Sequence, residues 1–338
     1  MNKIILIKKN LLHNLKVIKE KTPAKICAVV KANAYGHGLE EICKTLYGKV
    51  EFFAVANLKE ALQIRAFDKQ TKVLILGKCE NYKKAEENNI SVTVFSLEEI
   101  KKLSKQKFSN LNVHIKIDTG MNRLGFTSTK EFLLAFKELE KQKNVKIEGI
   151  FTHFSTLRND IDFYRKQVNK LERYLMYVKN KKDIIIHGGG SFVVMFTNKF
   201  DMVRCGIFLY GYGFSRLKPV LSVTSQIVQK KHIIKGDYVG YSKTYTANED
   251  MEIGVIPLGY SDGIPRSFIG QNFRCKNTKF EILNVCMDMT MIKLPTKTTF
   301  DTEITIFEDA HKWANVLNTN DHDVLVKFSN FRGQRILK

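Results

Sequence analysis

The chain has 338 residues, 55 Lys+Arg against 34 Asp+Glu, and a formal net charge of +21. Its length exceeds one ordinary domain and accommodates a barrel of roughly 250 residues with a smaller second unit. The positive excess is mostly lysine scattered from Lys3 to Lys338, with no zinc-ligand spacing, no aromatic RNA-binding motif and no long basic block, so it reads as solvated surface and argues against a nucleic-acid partner.

In chain order, "MNKIILIKKNLLHNL" comes first. Lys8 and Lys9 cut its apolar run short and no small-residue cleavage site follows, so it is not a secretory signal. No later segment approaches the ~20 apolar residues of a membrane span. Eight short β-branched runs then alternate with helical patterns: 25–31, 52–57, 72–77, 91–96, 112–118, 147–154, 184–189 and "DMVRCGIFLYG" at 201–211. Eight β/α units predict a parallel (β/α)8 TIM barrel. From about Val220 the texture changes to strand-like stretches separated by turn residues, with little helical periodicity before Asp309. The expected organisation is an α/β chain with the barrel at 1–216 and a C-terminal β-rich domain at 217–338. Six cysteines (Cys27, Cys43, Cys79, Cys205, Cys275, Cys286) form no CxxC pair and several sit in apolar runs, which fits free thiols in a reducing cytoplasm.

Active sites of such barrels lie at the C-terminal ends of the strands. Lys31, Lys116, Asp118, His153, His187 and Arg204 all fall at or near predicted strand ends. "HGGGS" after the seventh strand and "RCGI" in the eighth lie where these barrels hold phosphate through backbone N–H groups. A lysine at the barrel mouth near a phosphate site suggests Schiff-base chemistry with pyridoxal 5'-phosphate, since burial and neighbouring cations lower an amine from its usual pKa of about 10.4. A strand-end lysine reaching into solvent is the alternative.

The motifs go further. "AVVKANAYGHG" (28–38), "KIDTGMNRLGF" (116–126), "THFS" (152–155), "DMVRCGIFLYG" (201–211), "GYSKTY" (240–245), "IPLGYSDG" (256–263) and "VCMD" (285–288) together resemble the alanine racemases in order and approximate spacing, over nearly the whole chain. The resemblance implies a pyridoxal-phosphate-dependent isomerase that interconverts L- and D-alanine for peptidoglycan. It would be a cytoplasmic homodimer with shared active sites, a small amino-acid substrate, and no metal, nucleic-acid or membrane partner.

Carried over by position, the resemblance makes Lys31 the cofactor lysine and the base on the D-alanine face. Tyr241 is the opposite base, contributed by the second subunit, and His153 its hydrogen-bonding neighbour near the cofactor. Arg204 faces the pyridine nitrogen, where amino-acid decarboxylases of the same fold type place a carboxylate. Tyr35, Ser191 and the backbone of Gly206 and Ile207 hold the phosphate. Arg123 and the backbone N–H of Met287 receive the substrate carboxylate, Tyr260 lines substrate access, and Lys116 matches a lysine that is often carbamylated. Asp262 and Asp288 read as structural. Three positions depart from the family pattern: Gly190 where asparagine is common, Cys205 where proline is common, and Phe331 where a phosphate-reaching tyrosine is common. They point to weaker cofactor holding. A racemase of broader preference, such as for serine, and a non-catalytic pyridoxal-phosphate-binding protein remain alternatives; the latter, when a single-domain barrel, lacks the β domain that carries Tyr241, Tyr260 and Met287.

Overall fold

A computed structural model describes residues 2–156, 160–179, 181–196 and 199–338. The chain clusters into two compact units, one made of Asn14–Ala32 and Ile42–Leu209, the other of Met1–His13, Asn33–Glu41 and Tyr210–Lys338. The first strand, β1 (Lys3–Leu6), belongs to the second unit.

The first unit is a closed parallel barrel, the TIM fold. Its strands follow in chain order: β2 (Lys25–Val29), β3 (Phe52–Val55), β4 (Lys72–Ile75), β5 (Ile90–Val94), β6 (Leu111–Lys116), β7 (Val145–His153), β8 (Ile185–Gly189) and β9 (Met202–Cys205), with β9 pairing back onto β2. Parallel strands covered on both faces are largely apolar and buried along their length, and every residue of β3 and β5 is buried, Ser91 and Thr93 included. Between strands, Asn57, Asn81, Ser96, Ser128 and Asp160 each cap a helix by accepting the backbone N–H three residues on. Helix Thr129–Glu140 buries Phe132, Ala135, Phe136 and Leu139, the i, i+3, i+4, i+7 stripe that packs on a sheet.

The eighth run is shorter than its composition suggests. It ends at Cys205, and the next residues turn, with Leu209 N–H donating to Gly206 O at 2.9 Å and Gly211 at φ 103°. A Cβ at 211 would overlap the Lys218 carbonyl, so this turn is fixed by close backbone approach and not by β propensity. One barrel pairing is also irregular: Val113 of β6 faces Ile147 of β7, but His114 faces Gly149, leaving Glu148 as the extra residue of a bulge.

The second unit is built on β1, β10 (Leu221–Ser225), β11 (Gln229–Ile233), β12 (Tyr238–Val239), β13 (Tyr245–Thr246), β14 (Met251–Ile256), β15 (Asn272–Cys275), β16 (Thr278–Val285), β17 (Thr290–Lys293), β18 (Ile304–Phe307) and β19 (Gln334–Leu337). Nine of these form one sheet in the order β11-β14-β17-β16-β15-β18-β10-β1-β19, and β12 pairs with β13. Val239, Ala247, Met251, Ile253 and Leu283 pack into one core cluster, while Phe268, Phe307, Trp313 and Phe328 form an aromatic cluster with centroids 4.4–5.7 Å apart. The helix expected after Asp309 runs Ala310–Leu317, capped by the Asp309 side chain. Among the described residues no helix is long and apolar enough to cross a membrane.

The segment after β2 is unlike either unit's regular structure. Ala32, Asn33, Ala34 and Tyr35 have φ values of 52–54°, one turn of left-handed helix made without glycine. Such backbone costs about 1–2 kcal/mol per residue, so its surroundings must hold it. Glu60 accepts from Ala32 N–H at 2.7 Å and from Ala56 N–H at 2.8 Å, while Asn33 Oδ1 accepts from Leu39 N–H at 2.8 Å. Glu60→Ala leaves both N–H groups without that acceptor and is expected to lower the unfolding free energy by about 1–3 kcal/mol. Urea denaturation of the two proteins checks this, and an unchanged midpoint would show the turn to be held by other contacts.

Candidate active site

Lys31 follows Val30, whose N–H still bonds Ala54 O at 2.9 Å, and precedes the left-handed turn. The lysine is therefore clamped between a strand end and a reversed backbone. Burial lowers its pKa from the usual lysine value, and Arg123 and Arg204 lower it further against the opposing pull of Glu60.

On the neighbouring strands the register sets the rest of the barrel mouth. His153 of β7, Gly189 of β8 and Arg204 of β9 are aligned partners. A Cβ at 189 would overlap Arg204 Nη2 and stand 2.5 Å from His153 Nδ1. Glycine there is the gap that lets both side chains in. Gly188 does the same against Phe200 and Phe154. Two of the three glycines in "HGGGS" are thus strand residues with a packing role, and the expected phosphate cradle begins only at Gly190. Gly190 has φ 103° and ψ 124°, a conformation open to glycine but strained for asparagine. Beyond it Ser191 Oγ accepts from Gly206 N–H at 2.9 Å, which brings two predicted phosphate ligands together, and Ile207 is buried next to them.

Arg204 is buried, with Nη1 2.6 Å from His187 Nδ1, Nη2 donating to Thr152 O at 2.7 Å, and Cζ 4.5 Å from the Phe151 ring centroid. Burial pulls its pKa down to about 10. Lys116 Nζ lies 5.7 Å from the same ring, and burial followed by Arg123 and Arg204 takes its pKa down to about 8. Burial, then Arg204, Arg123, Lys116 and Lys31, lower His153 to about 2, so its imidazole is neutral. Arg123 sits on a loop organised by Asp118, whose carboxylate accepts from the N–H groups of Gly120, Met121, Asn122 and Arg123 at 2.8–3.1 Å. Burial raises the Asp118 pKa, but these N–H donors outweigh it and hold the carboxyl below its usual range.

Four predicted site residues lie in the second unit. Tyr35 closes the left-handed turn, buried 4.8 Å from the Tyr210 ring, and burial raises its phenol to about 12. Tyr260 and Met287 are neighbours, since Tyr260 N–H bonds Cys286 O at 3.0 Å and Ser261 N–H bonds Met287 O at 3.1 Å. Tyr241 stands on a separate turn next to Gly240 and is 71% exposed. Asp262 accepts from Gly259 N–H at 2.9 Å and from Arg332 Nε and Nη2 at 2.7 and 2.6 Å, while Arg332 Nη1 reaches Asp288 at 2.8 Å. Both aspartates therefore brace the loops that present Tyr260 and Met287. Phe331 is buried in the same unit.

Sequence reasoning missed Glu60, the loop-building role of Asp118 and the spacing role of Gly189. For Asp118 a signal existed: an aspartate closing a strand and followed two residues later by glycine marks a side chain that accepts from its own loop.

The barrel and its cation-flanked lysine define an enzyme whose chemistry centres on an amine of lowered basicity. Family models for the alanine racemase N-terminal domain and C-terminal domain match residues 8–213 and 220–337. A curated alanine racemase of Lactobacillus gasseri is 37% identical over 310 residues, covering 84% of this chain and 81% of that protein. The solved alanine racemase of E. faecalis superposes with a TM-score of 0.92 at 28% identity over 100% of this chain and 98% of that one. A histidine racemase from Leuconostoc mesenteroides subsp. sake superposes with a TM-score of 0.87 at 29% identity, over 99% of this chain and 97% of that one. The chain belongs to the alanine racemase family.

Replacing Arg123 by glutamine removes a cation that depresses Lys116, so the Lys116 titration is expected to move up from about pH 8 toward the ordinary lysine value. NMR titration of selectively labelled lysines in carbonate-free buffer checks this, and an unmoved midpoint would remove Arg123 from the account.

Proposed function

We propose that this chain is a pyridoxal 5'-phosphate-dependent racemase that interconverts L- and D-alanine, acting as a cytoplasmic homodimer whose product serves peptidoglycan. By sequence position it would divide into a cofactor-holding barrel at 1–216 and a β domain at 217–338, with Met1–His13 and Asn33–Glu41 clustering with the latter. The observation that carries this reading is the Lys31 amine, held below its usual pKa at a barrel mouth by burial and by two arginines.

The donor set suits the cofactor. Arg204 offers only N–H groups, which fits an unprotonated ring nitrogen, and the Phe151 side supports its plane. Ser191, Gly206 and Ile207 follow β8 and β9, where barrels of this type hold phosphate, and Tyr35 is the remaining candidate for that group. When bound, pyridoxal phosphate supplies the electron sink that makes the Cα proton of an amino acid acidic. Lys31 would move that proton on one face, and Tyr241 of the partner subunit on the other. Return of a proton from the side opposite its departure inverts the centre, which is why a racemase needs two bases. Arg123 and the backbone N–H of the partner's Met287 would hold the substrate carboxylate, with the partner's Tyr260 lining access. The neutral His153 can hydrogen-bond a phenol without adding a charge. A carbamate forms only from an unprotonated amine, and the lowered Lys116 supplies one beside Arg123.

Dimer formation is supported by the exposure of large side chains around the proposed partner residues: Tyr241 is 71% exposed, Met287 53% and Tyr260 45%, with Tyr238 and Met289 also exposed in the same unit. A different side-chain preference is the second reading, because a protein named a histidine racemase shares this fold at similar likeness.

A coupled assay for D-amino-acid formation from L-alanine, L-serine and L-histidine, with added pyridoxal phosphate, tests the reading. L-alanine is expected to turn over fastest; turnover of none would overturn it. Lys31→Ala should fail to retain the cofactor through gel filtration. Tyr241→Phe should retain it yet lose racemisation in both directions by at least about 100-fold, since each direction uses both bases. Activity is also expected to vanish on dilution below the dimer dissociation constant.

A further inference from the structure

A chain of buried hydrogen bonds runs from Arg204 along the barrel interior. Arg204 Nη1 is 2.6 Å from His187 Nδ1, His187 Nε2 is 2.8 Å from His114 Nδ1, and His114 Nε2 is 3.0 Å from Glu148 Oε2. Ser91 Oγ donates to the same Glu148 oxygen at 2.6 Å, and Lys72 Nζ donates to Oε1 at 2.6 Å. Both histidines are fully buried, so water does not interrupt the chain.

Its two ends fix its direction. A guanidinium has no acceptor and an ionised carboxylate has no donor. His187 must therefore present a bare Nδ1 to Arg204 and carry its proton on Nε2. That proton goes to a bare His114 Nδ1, which places the His114 proton on Nε2, pointing at Glu148. Any other neutral arrangement sets two N–H groups or two lone pairs face to face. Burial, outweighing Glu148, holds His114 below its usual pKa, and burial with Arg204 does the same to His187, so neither ring is charged. Burial raises Glu148, but the bonds from His114, Lys72 and Ser91 outweigh it and keep the carboxylate ionised.

The backbone is adapted to this contact. Glu148 is the extra residue of the bulge between β6 and β7, and a bulge re-aims the side chain that carries it. Here the carboxylate meets side chains from β4, β5 and β6 at once. The adjacent Gly149 leaves room for the imidazole, since a Cβ there would overlap His114 Nδ1.

We infer that Glu148, acting through His114 and His187, is a positioning residue for Arg204, because it fixes the histidine tautomers that present a bare nitrogen to the guanidinium. Without that anchor the two imidazoles can reverse together, turning an N–H toward Arg204 and displacing it. The consequence for catalysis rests on the proposed role of Arg204 at the cofactor ring; the tautomer claim does not.

The test uses histidine ring 15N NMR on cofactor-free protein, then kinetics on the loaded enzyme. In the unmodified protein His114 and His187 are expected as neutral Nε2–H tautomers. In Glu148→Gln a single amide oxygen must serve three donors, and His187 is expected to show a second tautomer, which Glu148→Asp should partly suppress. Loaded Glu148→Gln should lose about tenfold in kcat with KM nearly unchanged, as expected for a displaced catalytic group. A proton on His187 Nδ1 in the unmodified protein would overturn the inference even if every variant failed to fold. An unchanged His187 tautomer in a folded Glu148→Gln would overturn it too, as would altered tautomers with an unchanged kcat. If no substrate turns over, the racemase reading fails while the NMR result still decides the tautomer claim.

Discussion

This protein is organised around several cations buried together at one barrel mouth. Burial first, and then Arg123 and Arg204, lower the basicity of Lys31, Lys116 and His153, and burial lowers that of Arg204 itself, because water no longer screens or solvates the charges. Such a cluster is costly in an empty barrel and favourable around anions, which is what a phosphate and a carboxylate are. It also shifts the Lys31 amine toward the unprotonated form that a nucleophile or a base requires.

Holding those charges in place demands support from residues that are not themselves among the cations. Gly189 supplies a missing Cβ between Arg204 and His153, Asp118 gathers four backbone N–H groups to seat Arg123, and Glu60 ties down the start of a left-handed turn. These residues explain why strain and unusual glycines gather near the mouth.

Much of this was legible in the sequence, for physical reasons that differ by element. The eight barrel strands could be read because strands buried on both faces leave contiguous β-branched runs, and the polar residues at their ends marked the mouth. Lys31, Arg204 and Tyr241 stood out through the family motifs around them. The end of β9 was not legible, because the turn after Cys205 depends on backbone approach at Gly211. The left-handed turn was hidden because Ala-Asn-Ala-Tyr has no glycine and only its neighbours force the conformation. The bulge at Glu148 was hidden as well, since register is a property of two strands together. The strand β1 was not identified in the sequence because its partners are remote: Lys3 pairs with Thr224 and Gln334.

That last pairing has a temporal side. β19 holds the edge of the nine-stranded sheet only by lying parallel to β1, so the two strands that finish this sheet come from opposite extremes of the described chain. Contacts of such sequence separation form late, after shorter loops have closed. During synthesis the barrel strands β2 to β9 can all emerge and pair while the sheet still waits for its final strand. The proposed donors to a neighbouring subunit, Tyr241, Tyr260 and Met287, sit in the unit that is completed last. A growing chain would then hold its own lysine ready before it has anything to lend to a second copy.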